Sequence, residues 1–146
     1  FATLLAAQAE GLAMPAAAVA FSPFADMTLS GESYRRNARR EVMLPSERAE
    51  EAVGYYLQGA NPADPLASPA FGTFKNPPPS LIFASDAEIL CDDATMLADA
   101  LLRAGGEVRV EIWPGLPHAW PILHGKLAAA DRALAMAGAF ISGHLG

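Results

Sequence analysis

A chain of 146 residues, 52% hydrophobic and 18% charged, fits one globular domain and excludes a disordered or fibrous polymer. Its net charge of −6 is the opposite of the basic footprint of a nucleic-acid binder, so no nucleic-acid partner is expected. The lone Cys91 excludes an internal disulfide framework and suits a reducing compartment, so the expected location is the cytoplasm.

Residues 1–21 are apolar but broken by Gln8, Glu10 and Pro15, with no basic residues ahead of them, so neither a signal peptide nor a membrane span is predicted. Residues 1–9 read as a helix already under way, with no N-cap residue before it and Gly11 as its stop. The run AAAVAF at 16–21 predicts a strand buried on both faces. Residues 23–45 are irregular and charged. Ser46 is the expected N-cap of a helix to Leu57, with Ala49, Val53 and Tyr56 on one face. Residues 59–79 hold six of the twelve prolines and predict a loop. SLIFA at 80–84 predicts a second buried strand. Asp92 and Asp93 open a helix over 92–104, where carboxylates favour the positive end, with Leu97, Leu101 and Ala104 as its apolar stripe and Gly105-Gly106 as its end. A third strand is predicted over 107–113. A last helix is predicted over 126–142, with Leu127, Ala130, Leu134, Ala137 and Ile141 at helical spacing. Strands separated by helices imply an α/β fold with a parallel sheet.

Ligands of open α/β sheets sit beyond the carboxyl ends of the strands, and two polar clusters fall there. Ser85-Asp86-Ala87-Glu88 follows the second strand and Pro114-Gly115-Leu116-Pro117-His118 follows the third. A carboxylate on one such loop and a histidine on the next can meet, the arrangement in which a carboxylate fixes a histidine's tautomer and stabilises its protonated form. Asp86 and Glu88 are both candidates for the carboxylate. They share the same parity beyond the strand, so side-chain alternation does not separate them.

The run Glu88-Ile89-Leu90-Cys91-Asp92-Asp93, a helix, Ala104-Gly105, a strand and Pro114-Gly115-Leu116-Pro117-His118-Ala119-Trp120 together resemble the C-terminal part of the hormone-sensitive-lipase-like bacterial esterases. Ser22-Pro23-Phe24-Ala25-Asp26 is similar to that family's S-P-x-x-D segment, and the stretch from Asn61 to Pro69 to its P-x-D-P-L-A-S-P loop. Residues 1–7 resemble the helix that leaves the nucleophile elbow. The resemblance covers essentially the whole chain and implies part of an α/β-hydrolase domain over residues 1–146. It implies hydrolysis of small-molecule carboxylic esters with no cofactor, with His118 as base. In the family pattern a second carboxylate follows the acid by four positions and the base follows it by thirty. Glu88, Asp92 and His118 meet that spacing without a gap, which favours Glu88 over Asp86 as the acid.

The family's H-G-G-G oxyanion motif and G-D-S-A-G elbow are not in this sequence, and no serine here has G-x-S-x-G around it: Ser33 has Gly31 before it but Arg35 where the second glycine belongs. The family pattern places the nucleophile roughly eight positions before Phe1. The chain therefore reads as a truncation, a processed piece or the product of a split gene, inactive alone, with an exposed sheet edge suited to a homo-oligomer or to a complementing N-terminal half. The alternative is a non-catalytic module that associates through that edge. Other residues carry structural expectations. Arg35, Arg36, Arg39 and Arg40 form a solvated face, Cys91 is a packed small side chain, and Asp26 and Asp64 form turns and caps. Trp120 is expected beside the base, lining the pocket. His124 and His144 lack ligand spacing with His118, so no metal site is expected.

Overall fold

The computed structural model describes residues 1–145. Strands β1 (Ala18–Phe21), β2 (Ser80–Ser85) and β3 (Val108–Trp113) form a parallel sheet in the order β1-β2-β3. Ala18 pairs with Ser80 and Phe21 with Phe83, while Ser80 pairs with Val108 and Ser85 with Trp113. The helices are α1 (Ala2–Ala9), α2 (Ser33–Arg36), α3 (Ser46–Leu57), α4 (Cys91–Arg103) and α5 (Ala128–His144), with 3-10 turns at Pro69–Phe71 and Trp120–Leu123.

The central strand explains the layers. Every residue of β2 is buried, as a continuous apolar run predicts. Alternation sends Ile82 and Ala84 to one face, where Leu97 and Leu101 of α4 and Leu5 of α1 cover them, and Leu81 and Phe83 to the other, where Ala130, Ala133 and Ala137 of α5 and Trp120 pack. A smaller cluster of Tyr34, Ala49, Ile89 and Leu90 joins α2 and α3 to the loop after β2. Among the described residues no helix is long and apolar enough to cross a membrane.

Several expectations are corrected. Strand β1 lies at the sheet edge, so its residues are only half-buried rather than buried on both faces. The irregular stretch 23–45 contains α2, a single helical turn tied to residues far along the chain. Ser46 is the first helical residue of α3 and makes no cap bond; Pro45 takes the cap position, and the Ser46 carbonyl accepts the Tyr34 hydroxyl at 2.5 Å. Tyr56 is exposed because α3 packs mainly through Ala49. In α5 the buried stripe is Ala130, Ala133 and Ala137, whereas Leu134 and Ile141 are exposed. On that face Ala130, Ala133 and Ala137 share a cluster with Phe83 and Trp120, and Met136 and Phe140 of the same helix pack beside it.

Candidate active site

Three parallel strands end on the same side, and the loop after each contributes to one site. The β2 loop supplies Glu88, whose side chain is fully buried, and the β3 loop supplies His118, whose side chain is 24% exposed. Glu88 Oε2 lies 3.0 Å from His118 Nδ1. Glu88 Oε1 accepts the Ser22 hydroxyl, from the β1 loop, and the Ser85 amide, both at 2.8 Å. Ser22 Oγ in turn accepts the Ala119 amide at 3.0 Å, so one hydroxyl bridges the acid and the residue next to the base. Ser22 (φ 48°) and Ala119 (φ 53°) both occupy the left-handed region that non-glycine residues rarely adopt. Strain of this kind persists where surrounding structure enforces it, here at the ends of the Ser22–Ala119 hydrogen bond.

The acid loop is held from outside as well. Asn37, fully buried, donates its side-chain amide to the carbonyls of Asp86 (2.8 Å) and Glu88 (2.7 Å). Ser33 Oγ donates to the Ile89 carbonyl at 2.6 Å and accepts the Asp92 amide at 3.0 Å. Asp92 accepts the Ser33 amide at 2.8 Å and pairs with Arg36 at 3.2 Å. Asp93 accepts the amides of Ala25 and Asp26, each at 2.8 Å. Burial nevertheless pushes the Asp93 carboxyl up to about 7, its two amide donors opposing that shift. Both aspartates of the α4 N-terminus therefore fasten neighbouring segments.

Of the two carboxylates left open by the sequence, the fold brings Glu88 to His118. Asp86 is exposed and turned away. Its Oδ1 accepts the Gly115 amide at 2.8 Å and pairs with Arg40 at 3.3 Å, so it ties the two loops together. Trp120 is fully buried in the aromatic cluster with Phe83 and Trp113, so it backs the histidine loop and does not line a pocket. Cys91 is buried, and burial pushes its thiol up, with the Asp92 charge adding to the effect. Asp26 accepts amides and hydroxyls of Thr28 and Ser30. Burial pushes its carboxyl up, but those donors outweigh burial and hold it below its ordinary range. Asp64 accepts the Leu66 amide at 2.8 Å, the turn role expected of it. Arg35, Arg36, Arg39 and Arg40 are exposed, as a solvated face requires.

Asn37 and Glu41 carry no sequence signal for the site, and Ser22 is marked only as part of the S-P-x-x-D segment, with no site role. The signal Ser22 offers is that of a serine at a strand end before proline; Asn37 and Glu41 lie inside an aperiodic stretch. Glu41 is buried, and one ligand atom from each of Glu41, Glu88 and His118 lies within 4.8 Å of the others. An open cleft of about 460 Å³ lies elsewhere, along the free edge of β1 between Phe1, Leu4, Phe21 and Leu97.

A buried carboxylate meeting a histidine at strand ends can fix the imidazole's tautomer and stabilise its protonated form, the arrangement acyl-transfer sites use. The family model described as alpha/beta hydrolase fold matches residues 1–122. An acetyl-hydrolase of Streptomyces hygroscopicus is 41% identical over 96% of this chain and 47% of its own length. An esterase of Acinetobacter venetianus is 29% identical over 84% of this chain and 41% of its own length. The crystal structure of an esterase from the bacterial hormone-sensitive lipase (HSL) family superposes with a TM-score of 0.95 at 35% identity, covering 99% of this chain and 49% of that one. The chain thus spans about half the length of the relatives it matches. With its parallel sheet and strand-end loops, it belongs to the α/β-hydrolase-fold family, among the bacterial hormone-sensitive-lipase-like esterases.

Proposed function

We propose that this chain supplies the acid and base of a serine carboxylic-ester hydrolase, as the C-terminal half of the catalytic domain. The observation that carries this reading is the buried Glu88 carboxylate 3.0 Å from His118 Nδ1. A bond at Nδ1 places the imidazole's basic lone pair on Nε2. His118 then takes the proton of a serine hydroxyl as the serine attacks the ester carbonyl, and returns it to the leaving alcohol. Glu88 holds the ring and stabilises the imidazolium. The serine and one oxyanion donor would come from a strand-to-helix turn preceding a helix such as α1, and the other oxyanion donor from an H-G-G-G-type loop, both outside these residues. The substrate is a small-molecule ester, and with one unpaired thiol the compartment is the reducing cytoplasm.

The test has two arms. The chain alone should leave a p-nitrophenyl acyl ester unhydrolysed above background. Joined to a segment bearing G-x-S-x-G, it should hydrolyse the ester, and His118→Ala should lower turnover by about 10⁶. Hydrolysis by the isolated chain that disappears in His118→Ala would refute the first arm; full activity of the completed His118→Ala enzyme would refute the second.

The free edge of β1, with the open cleft along it, favours a second reading: a non-catalytic module that pairs with another chain, or with a copy of itself, along that edge. Translating the coding sequence just upstream of Phe1 separates the two. A G-x-S-x-G there favours the hydrolase, and its absence favours the module.

A further inference from the structure

Glu41 has no part in the dyad, yet it sits beside it. Its Oε1 accepts the amides of Met43 (2.8 Å) and Leu44 (3.3 Å), which fixes the carboxylate by its own loop. Its Oε2 is buried and takes no hydrogen bond from any described residue, and Glu41 as a whole is 7% exposed. A buried carboxylate oxygen without a donor is costly, and such groups are normally matched by a proton or a cation. The second carboxylate, Glu88, is fully buried, and Glu41, Glu88 and His118 each bring a ligand atom within 4.8 Å of the other two.

We propose that Glu41, Glu88 and His118 form a binding site for a borderline divalent cation of the zinc class, and that its occupation switches the dyad off. The donor set is one imidazole and two carboxylates, which suits Zn²⁺ or Co²⁺ and is poor for Mg²⁺, whose preference is for oxygen ligands and retained waters. Glu88 Oε2 and His118 Nδ1 are already 3.0 Å apart. Tetrahedral zinc with bonds of about 2.0–2.1 Å holds its ligand atoms about 3.3 Å from one another, so the Glu88–His118 separation is within a few tenths of an ångström of what two ligands of one cation require. Glu41, with a ligand atom within 4.8 Å of those of Glu88 and His118, would supply the third position, and the fourth remains for water.

The inhibitory consequence follows from the tautomer. A cation on Nδ1 takes the lone pair there, so the neutral ring carries its proton on Nε2. That is the nitrogen that would otherwise accept a proton, and base function is lost. With both carboxylates ionised, no proton is released if the ring starts neutral, and one is released if it starts as imidazolium. The ligand geometry stands whether or not His118 serves a serine. Spacing along the sequence gave no sign of this site, because Glu41 reaches His118 through the fold and not through a histidine motif.

The experiment is a calorimetric titration of Zn²⁺ into the metal-stripped chain, repeated with Mg²⁺ and followed independently by the visible absorption of Co²⁺. The expected result is one zinc per chain, at least about tenfold tighter than magnesium, with affinity lowered about tenfold or more by Glu41→Gln and by His118→Ala. His144→Ala and Asp86→Asn should bind as the parent does. Circular dichroism checks that each variant is folded; should Glu41→Gln unfold, Glu41→Ala and the loss of the Co²⁺ spectrum in His118→Gln carry the same test. Absence of zinc binding by the parent chain, magnesium binding as tight as zinc, or unchanged zinc affinity in folded Glu41 variants would each overturn the proposal.

Discussion

The loop that carries the acid and the loop that carries the base are built differently. Residues 85–90 are buried except for Asp86, whereas residues 114–119 are half-buried or exposed throughout. The acid loop is bonded by Asn37 and Ser33 from α2 and its neighbourhood and by Ser22 from the β1 loop. The base loop hangs on the Gly115 bond to Asp86, the Leu116 amide on Ser85 Oγ, and the Ala119 bond to Ser22. All three of these partners belong to, or touch, the acid loop. The acid side is therefore a fixed reference, and the base is placed relative to it while keeping some freedom. Under the proposed function, that division suits a histidine that would face first a nucleophile and then a leaving group. It also means that damage on the acid side should cost both stability and turnover, while damage on the base side should cost turnover alone.

Glu88→Gln is the strongest way to break this contrast. In the completed enzyme it should lower turnover by about 10⁴, since an amide neither fixes the imidazole's tautomer nor stabilises its cation. It should also lower the unfolding free energy by about 1–3 kcal/mol, because the amide cannot accept from Ser22, Ser85 and His118 at once. Ester hydrolysis rates and urea melts read the two effects. Unaltered stability would show that the acid side is not the fixed element.

Asn37→Ala comes next. It removes the donor that the carbonyls of Asp86 and Glu88 share in the buried interior, and the expected loss is about 1–3 kcal/mol in a urea melt. Turnover of the completed enzyme should fall less than in Glu88→Gln, since the carboxylate is still present.

Asp93 anchors the far end of the acid loop, and its burial makes that anchor dependent on pH. Its folded value of about 7 lies above the ordinary 3.8. Below about pH 3.8 both folded and unfolded chains hold the proton and the group costs nothing. As pH rises towards 7 the unfolded chain releases the proton while the folded chain keeps it, so stability is progressively lost, by at most about 1.4 kcal/mol per pH unit. Asp93→Asn should abolish this slope, and the gap between variant and parent in thermal melts should widen from pH 4 to pH 7. Parallel curves would show that Asp93 titrates normally.

How much of this was legible in the sequence follows from the range of the interactions. Strand β2 and helix α4 are readable because their burial repeats with the local period of the backbone, whereas the residues alone leave Asp86 and Glu88 open and only the spacing of the family the chain resembles favours Glu88. The stretch 23–45 was opaque because its order comes from partners such as Ile89 and Glu88, 56 and 51 residues away. No period encodes such contacts. The buried face of α5 is legible only in part: Ala130 and Ala137 lie on the expected stripe, but Leu134 and Ile141 are exposed, because an apolar stripe says that a helix packs and not which of its flanks the sheet reaches.

Asp86→Asn is the mildest of these changes and the most discriminating between the two loops. Asp86 carries the carboxylate nearest the start of the acid loop, yet its Oδ1 serves the Gly115 amide at 2.8 Å and Arg40 at 3.3 Å, and its side chain is about half exposed. An exposed ion pair contributes about 0–1 kcal/mol, so loss of the charge on the Arg40 side should scarcely register. The amide oxygen of asparagine can still accept from Gly115, so the tie to the base loop survives the change. The expected outcome in the completed enzyme is a fall in turnover of less than about tenfold, equivalent to under about 1.4 kcal/mol, with a melting temperature close to that of the parent. Asp86→Ala removes the acceptor as well and should loosen residues 114–119, lowering turnover further while the acid loop, held by Asn37 and Ser22, keeps its stability. A ranking in which Asp86→Asn is more damaging than Glu88→Gln would reverse the roles of the two carboxylates and with them the assignment of which loop is the fixed one.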